Sequence, residues 1–458
     1  MSEFKQSNLY LLPKRVILLV YRFPKKVVQK GLLGVKKVYY SKARLYVHQL
    51  FRSVFEEEIV AWKPDVVYMH DGMSLPLGVS AAARGNALMV FDSHELEAHR
   101  NPPLSPSQRR SVEKIEQRYL PMADAVTTVG HKIADHLEAK YAISRPLVIY
   151  NAPPKEPRPL PEKWQQPTRT SLRAEAGVGD DTIVLVYTGN ITINRGVEET
   201  LEGMANYLAR PGAIKDIHLS MVGKTRPETY EAINSLAEKL GLQGHLHFHD
   251  PVSPTAVVDF IAEGDIAIIP IIPVALSYDY AMPNKLFESM LAGLPILGAR
   301  LAEMAPFIEK HKIGICYDPL SAKSFADALE QFLMSGKTPR LSEERKQELT
   351  QEFSWEAQEA VLRDVYAGLQ TSKDCLRIAM VVPNPCNPDY RVVKQAETLA
   401  AAGHQVRIFC TRPTGSELPD IETINTVEYR RLDWSVRSAA DGLFRFHFRR
   451  LREKHQKA

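Results

Sequence analysis

Short apolar runs ending in a glycine or a polar turn alternate with helical segments twice along this chain. The first series reads "DVVYMH" (65–70), a helix over 75–85, "ALMVFD" (87–92), a helix over 107–119, "AVTTV" (125–129), a helix over 131–140 and "PLVIYN" (146–151). The second opens at "TIVLVYTG" (182–189). It continues through "IHLSMVG" (217–223), "HLHFHD" (245–250), "IAIIPI" (266–271), "PILGA" (295–299) and "GICY" (314–317), with helical segments between. A helix between two strands returns the chain to the same end of the sheet, so the strands run parallel and are covered on both faces. The expected fold class is α/β, with two doubly wound parallel sheets. The segment 152–170, "APPKEPRPLPEKWQQPTRT", holds six prolines in 19 residues. Proline fixes φ and removes a donor, so this stretch reads as the linker between two domains that face a cleft.

The first series starts one unit short. Ahead of residue 65 lie basic helical segments, about 25–62, and one apolar patch, "VILLVY" (16–21). A β-α-β opening stands instead near the other end. "LRIAMVVPNP" (376–385) runs into a Pro/Asn turn, an amphipathic helix follows, then a strand from Gln405 to Cys410, and "VEYRRL" (427–432) adds a third strand. From its start to the last residue it has only 83 residues, too few for a domain of its own. Circular permutation, or an equivalent relocation, is the expectation. The first domain is then 1–155 plus 376–458, the second 171–341, and 342–375 a closing helix and connector. A truncated start of a further domain is the alternative.

At 458 residues the chain suits two or three domains, and 45% hydrophobic with 24% charged residues is ordinary for a globular protein. No apolar run near the N-terminus approaches the roughly 20 residues of a membrane span, and no secretory signal is recognised. The four cysteines make no CxxC pair, which suits reduced thiols and a cytoplasmic location. Charge is uneven. Residues 1–50 carry eleven Lys/Arg and one acid, and 436–458 carry seven and two, so with a total of +4 the body between them is −11. Basic ends suggest an anionic partner such as a membrane surface, or they are solvated helices without one.

Ligands of parallel sheets bind beyond the carboxyl ends of the strands. At those ends the second domain offers Gly189 and Asn190, then Arg195 and Gly196 where a helix starts, a phosphate-type arrangement or merely a turn. Neither GxGxxG nor GxxxxGK[ST] is present. Further on, "AMPNKLFE" places Asn284, Lys285 and Glu288 at the start of a helix. Glu288 suits a ribose diol and Lys285 a phosphate, or the two are a solvated pair. The first domain offers Asp71 in "HDG", and Asp92, His94, Glu95, Glu97 and His99 in "FDSHELEAH". Histidine can donate to a sugar hydroxyl or carry a proton. The spacing matches no familiar zinc site, and no metal or other cofactor is expected. Asp389 and Arg391 follow the relocated first strand.

"TGNITINRG", "FHDPVSPTAVVDFIAEGDIAIIPI" and "YDYAMPNKLFESMLAGLPIL" resemble the donor half of GT-B glycosyltransferases of family 4. "KPDVVYMHDGMSLPLG", "FDSHE" and "DYRVVKQAETLAAAGHQV" resemble the acceptor half. The resemblance implies two Rossmann-like domains, a UDP- or GDP-linked sugar donor, no metal, and usually retention at the anomeric carbon. Carried over by position, Arg195 would hold the diphosphate and Glu288 the ribose. His94, with Glu95, would act at the donor sugar, and Asp71, Asp389 and Arg391 would lie on the acceptor side. Lys224 is peripheral. Many relatives have a glutamate eight residues before the ribose-binding one; here that place is Tyr280, which the resemblance sets among the donor-binding residues. The expected activity is glycosyl transfer to a glycan or lipid-linked acceptor in surface polysaccharide or glycolipid synthesis, at the inner face of the membrane. A non-catalytic sugar-nucleotide-binding protein and a sugar-nucleotide 2-epimerase are the alternatives. Nucleic acid is not an expected partner.

Overall fold

The computed structural model describes residues 47–156, 158–165, 171–193, 195–334 and 340–435. The "VILLVY" patch, most of the basic N-terminal segment and the basic segment 436–458 lie outside the described residues. In chain order the first part contains α1 (Val47–Trp62), β1 (Val66–His70), α2 (Asp71–Gly85), β2 (Leu88–Ser93), α3 (Pro106–Tyr119), β3 (Ala125–Thr128), α4 (His131–Tyr141) and β4 (Leu147–Val148). The middle contains α5 (Leu172–Ala176), β5 (Ile183–Thr188), α6 (Val197–Leu208), β6 (Ile217–Val222), α7 (Pro227–Lys239), β7 (Leu246–His249), α8 (Val257–Ile261) and β8 (Ile266–Ile269). It continues with α9 (Leu276–Asp279), α10 (Asn284–Leu291), β9 (Ile296–Ala299), α11 (Met304–His311), β10 (Gly314–Tyr317) and α12 (Ala322–Leu333). The last part contains α13 (Glu343–Phe353), α14 (Trp355–Ala367), β11 (Arg377–Val381), α15 (Tyr390–Ala401), β12 (Gln405–Arg412), β13 (Ile421–Ile424) and β14 (Val427–Asp433).

The strands form two sheets. The six-stranded sheet runs β10-β9-β8-β5-β6-β7, and every neighbouring pair in it is parallel. The eight-stranded sheet runs β13-β14-β12-β11-β1-β2-β3-β4. It is parallel throughout except where β13 meets β14. Strand β11 lies between β12 and β1, with Ile378 beside Val66 and Met380 beside Tyr68. All four side chains are fully buried. Burying a side chain of that size stabilises by about 1.5–3 kcal/mol, so the late segment supplies the hydrophobic centre of this sheet.

Three elements differ from the sequence reading. The helical stretch 342–369 is two helices broken at Ser354, whose backbone is extended (φ −70°, ψ 169°). Leu349 and Phe353 of α13 pack in the core of the six-stranded sheet, whereas Trp355, Leu362 and Tyr366 of α14 pack in that of the eight-stranded sheet. The segment therefore crosses between the sheets instead of closing the second. Trp355 N donates to Pro153 O at 2.8 Å, tying the crossing to the linker. The strand expected over 146–151 shrinks to Leu147–Val148, because the chain beyond it leaves for the linker. Strands β13 and β14 form a hairpin missed in the sequence, turned by Asn425 and Thr426 at φ 47° and 70°, the left-handed pair that a two-residue hairpin turn needs.

Candidate active site

The six-stranded sheet contributes the ends of β5 and β6. Gly189 follows β5 at φ 109°, and Gly223 follows β6 at φ 156°. A Cβ on Gly223 would stand 1.8 Å from Gly189 O, so the two loops meet backbone to backbone. Gly223→Ala is expected to cost about 3 kcal/mol, from backbone strain and overpacking together. Gly403→Ala, at φ 93° but with open space around it, should cost about 1 kcal/mol. Thermal unfolding of the two variants checks the ordering. Gly196 has a different role from the ligand contact expected of it. It is buried at the start of α6 (φ 87°), and a Cβ there would stand 1.6 Å from Pro270 O.

Helix α10 presses Leu286, Phe287 and Met290 into the core and leaves Lys285 and Glu288, one turn apart, toward the end of β5. Thr188 Oγ1 donates to Glu288 Oε2 at 3.4 Å, and Lys285 Nζ stands 3.7 Å from the centre of the Tyr187 ring. The pair is half-buried rather than fully solvated. Burial pushes Lys285 down to about 7, with Glu288 opposing and Arg195 adding to the fall. Burial also raises Glu288, against the pull of Lys285, the Thr188 hydroxyl and Lys394. Arg195 is exposed, with its guanidinium 5.6 Å from the centre of the Tyr278 ring. It lines a cavity of about 690 Å³ together with Asn190, Gly223, Lys224 and His249. Lys224, expected to be peripheral, shares that wall.

The eight-stranded sheet contributes the ends of β1 and β2, whose parallel register sets His70 beside Asp92. Asp92 Oδ2 lies 3.0 Å from His94 Nε2 and 3.5 Å from His70 Nδ1. It also accepts from Gln395 Nε2 at 3.0 Å, and Oδ1 accepts from Thr127 Oγ1 at 2.8 Å. The other nitrogen of His94, Nδ1, lies 3.0 Å from Asp71 Oδ1. Burial and the nearby Arg391 disfavour charge on His94, but Asp92 and Asp71 outweigh them and push it up to about 9. Burial would raise Asp92, yet His94 and His70 hold it well below the usual carboxylate range. His94 is thus an imidazolium gripped by two carboxylates, and a hydrogen bond from it to a sugar would require releasing one of them. His70, Asp92 and His94 are the one group among the described residues whose ligand atoms could converge on a metal ion. Four neighbouring groups already surround Asp92, while the buried His70 Nε2 has no hydrogen-bond partner among the described residues.

Asp71, His94 and Glu95 open onto a cavity of about 880 Å³, with Asp389 and Arg391 from the late segment and Asn284 from α10. The loop 383–389 that forms one wall is held by Trp164 Nε1 on Asn387 Oδ1 at 2.9 Å and by the buried Arg431 on Pro385 O at 3.3 Å. Asp389 accepts from Asn384 Nδ2 at 2.9 Å. The remaining members of the acidic and histidine run scatter. Burial pushes Glu97 up to about 7, and it faces Arg100 at 3.5 Å. His99 leaves for Arg109 on α3. Tyr280, expected at the donor, lines neither cavity. Its ring lies 6.4 Å from that of His136 and packs against the core of the other sheet.

Lys394 was missed. It follows Arg391 by one helical turn, a spacing that could have signalled it. Its Nζ donates to Asn151 Oδ1 at 2.9 Å and to Ala152 O at 2.5 Å. The two sheets also touch directly: Glu303, at the start of α11, accepts from His131 N and Lys132 N at 2.7 Å each. A carboxylate there satisfies free N–H groups at the N-terminus of α4 and complements its dipole.

Comparison with known proteins agrees with this geometry. Residues 13–153 match "Glycosyltransferase Family 4" and residues 182–335 match "Glycosyl transferases group 1", together more than half of the chain. Residues 377–433 lie outside both matches. The D-inositol 3-phosphate glycosyltransferase of Corynebacterium diphtheriae is 24% identical over 307 residues, covering 66% of this chain and 70% of that protein. Its counterpart from Streptomyces coelicolor is 23% identical over 332 residues, covering 68% and 71%. Among solved structures, Anabaena HepE in complex with UDP aligns with a TM-score of 0.54 at 15% identity, over 69% of this chain and 82% of that one. Sucrose-phosphate synthase from Thermosynechococcus elongatus aligns with 0.53 at 17%, over 67% and 74%. Two Rossmann-like domains of the GT-B kind carry these matches, and the chain belongs to the family 4 type of glycosyltransferases, an enzyme of that class.

Proposed function

We propose that this enzyme moves a sugar from a nucleotide-linked donor, UDP- or GDP-linked, to a glycan or lipid-linked acceptor in surface polysaccharide or glycolipid synthesis. One observation carries the reading. Arg195 lines the cavity of about 690 Å³ beside Asn190 and Gly223, and Arg391 lines the one of about 880 Å³ beside Asn284; neither guanidinium has a hydrogen bond or ion pair among the described residues, so positive charge stands ready there for a dianion. A diphosphate fits it, and Glu288 fits the ribose diol beside it. The anomeric carbon exchanges its bond to the diphosphate oxygen for one to the acceptor hydroxyl, with retention. The acceptor proton passes to the departing phosphate, and the side-chain cations stabilise the developing charge without a metal. Asp71, held by His94, and Glu95 line the space an acceptor hydroxyl would enter.

Calorimetric titration with UDP, GDP, ADP and CDP tests the donor site: binding of UDP or GDP supports it, and binding of none refutes it. A non-catalytic nucleotide-binding protein is favoured by one observation, the absence of a glutamate at Tyr280.

In this reading 1–155 plus 376–458 form the acceptor domain and 171–341 the donor domain, in a circularly permuted order. A chain opened in the 371–375 connector, with residues 458 and 1 joined by a flexible linker, is expected to fold with unchanged nucleotide affinity. Failure to fold would contradict permutation. Among the described residues no helix is long and apolar enough to cross a membrane. A peripheral position through the basic segments belongs to the same reading, and salt-insensitive or absent binding to anionic vesicles would refute it.

A further inference from the structure

We infer that the cavity between α2 and α3 is the acceptor subsite, and that it takes an uncharged sugar carrying an apolar neighbouring group. The inference rests on the transferase reading above and names the class of its acceptor. The cavity measures about 510 Å³, within the range of small-molecule sites. It shares Asp71 and Glu95 with the cavity of about 880 Å³. A molecule lodged in the smaller space therefore meets, at the shared wall, the two carboxylates that line the way in for an acceptor hydroxyl.

The walls differ in chemistry. One is acidic: Asp71, Glu95, Glu97 from the turn after β2, and Glu116 from α3. Glu97 lies across Gly72, where a Cβ would stand 3.0 Å from Glu97 Cγ. Arg100 is the one arginine or lysine of the lining, and it already faces Glu97 at 3.5 Å. His48 of α1 lies 3.3 Å from Met73 O, and burial lowers its pKa, which keeps the ring neutral. The other wall is apolar. Helix α3 is polar nearly all round, and Glu116 is its one buried residue. Val112 and Ile115, one turn apart, line the cavity beside Leu104 and Met73. Carboxylates accept hydrogen bonds from sugar hydroxyls. A phosphate or carboxylate on the acceptor would instead meet like charge, with the one cation already paired. An apolar group beside the sugar gains by leaving water against Val112 and Ile115. A lipid chain and the apolar face of a second sugar both offer such a group.

The test is saturation-transfer NMR on the full chain at pH 8, with and without UDP or GDP. At that pH Glu97 and Glu116, pushed up by burial to about 7, are mostly ionised. Hexyl glycosides of glucose, galactose and mannose stand for a chain-linked acceptor, and methyl maltoside and methyl lactoside for a glycan. Each is paired with its uronic acid counterpart. At least one neutral glycoside is expected to bind, and its uronide at least about ten-fold more weakly. Ser111→Trp, at an exposed position of α3 that lines the cavity, should remove glycoside binding while thermal unfolding and nucleotide affinity stay as in wild type. Glu97→Gln removes one negative charge and releases Arg100, so the deficit of the uronide should shrink at least about three-fold. The inference is overturned if no neutral glycoside binds, if uronides bind as tightly as their neutral partners, or if Ser111→Trp leaves glycoside binding unchanged. Glycoside binding with this selectivity but without any nucleotide binding would defeat the donor reading and leave the cavity assigned.

Discussion

Replacing Asp92 with alanine is expected to lower the unfolding free energy by about 3–5 kcal/mol, the cost of removing one partner from a buried charged pair. The carboxylate is fully buried and is surrounded by His94, His70, Gln395 and Thr127. Without it the His94 imidazolium keeps Asp71 alone, while Gln395 and Thr127 lose their acceptor. Asp92→Asn keeps the shape and removes the charge, so its cost should be smaller, about 1–3 kcal/mol. Denaturant unfolding near pH 7 measures both. The pH dependence adds a check with a definite sign. The folded pKa of His94, about 9, lies above the ordinary 6.5. Its contribution is therefore fully present below about 6.5 and is lost as pH rises through about 9. Asp92 has the opposite shift, so its contribution is present above the ordinary carboxylate range and lost as pH falls through its depressed value. Both slopes should flatten in Asp92→Ala.

Glu288→Ala is expected to weaken the bound nucleotide by about 1–3 kcal/mol, or 5- to 150-fold, as losing charge-assisted hydrogen bonds to a diol should. Two effects point the same way. The acceptor for the ribose is gone, and Lys285 loses the carboxylate that opposes its deprotonation. Glu288→Gln removes the charge while keeping an acceptor oxygen, so it should fall between wild type and alanine. Among the described residues its side chain replaces one that is hydrogen-bonded only by Thr188, at 3.4 Å, so stability should change little. Calorimetry alongside thermal unfolding separates lost contacts from lost folding.

Much of this architecture was legible because parallel strands buried on both faces read as short apolar runs, and β5, β6, β8 and β11 all do. The late segment was legible for the same reason. The crossing at Ser354 was not. Helical periodicity continues from "QEF" into "WEAQ", and only the packing shows Phe353 committed to one core and Trp355 to the other. In the site, residue types were readable and enclosure was not. Lys285 and Glu288 in "PNKLFE" could have been a solvated pair, and burial of their turn decides otherwise. The grip on His94 was hidden because Asp71 is 23 residues away and meets it only once β1 and β2 are aligned. Tyr280 shows the reverse error, since its spacing from Glu288 suggested the cleft while its ring packs elsewhere.

The central claim is that the cleft transfers a sugar from a nucleotide. The most direct measurement follows UDP- and GDP-linked sugars by phosphorus NMR in the presence of wild type and of Glu288→Ala. Wild type is predicted to consume one of these donors with release of the nucleoside diphosphate, to water slowly and to added glycan or lipid acceptors faster. Glu288→Ala should be at least about ten-fold slower, matching its lost binding. If the nucleotide binds while no donor is consumed, or if the donor becomes another nucleotide-sugar without releasing diphosphate, the transferase account of this cleft is contradicted.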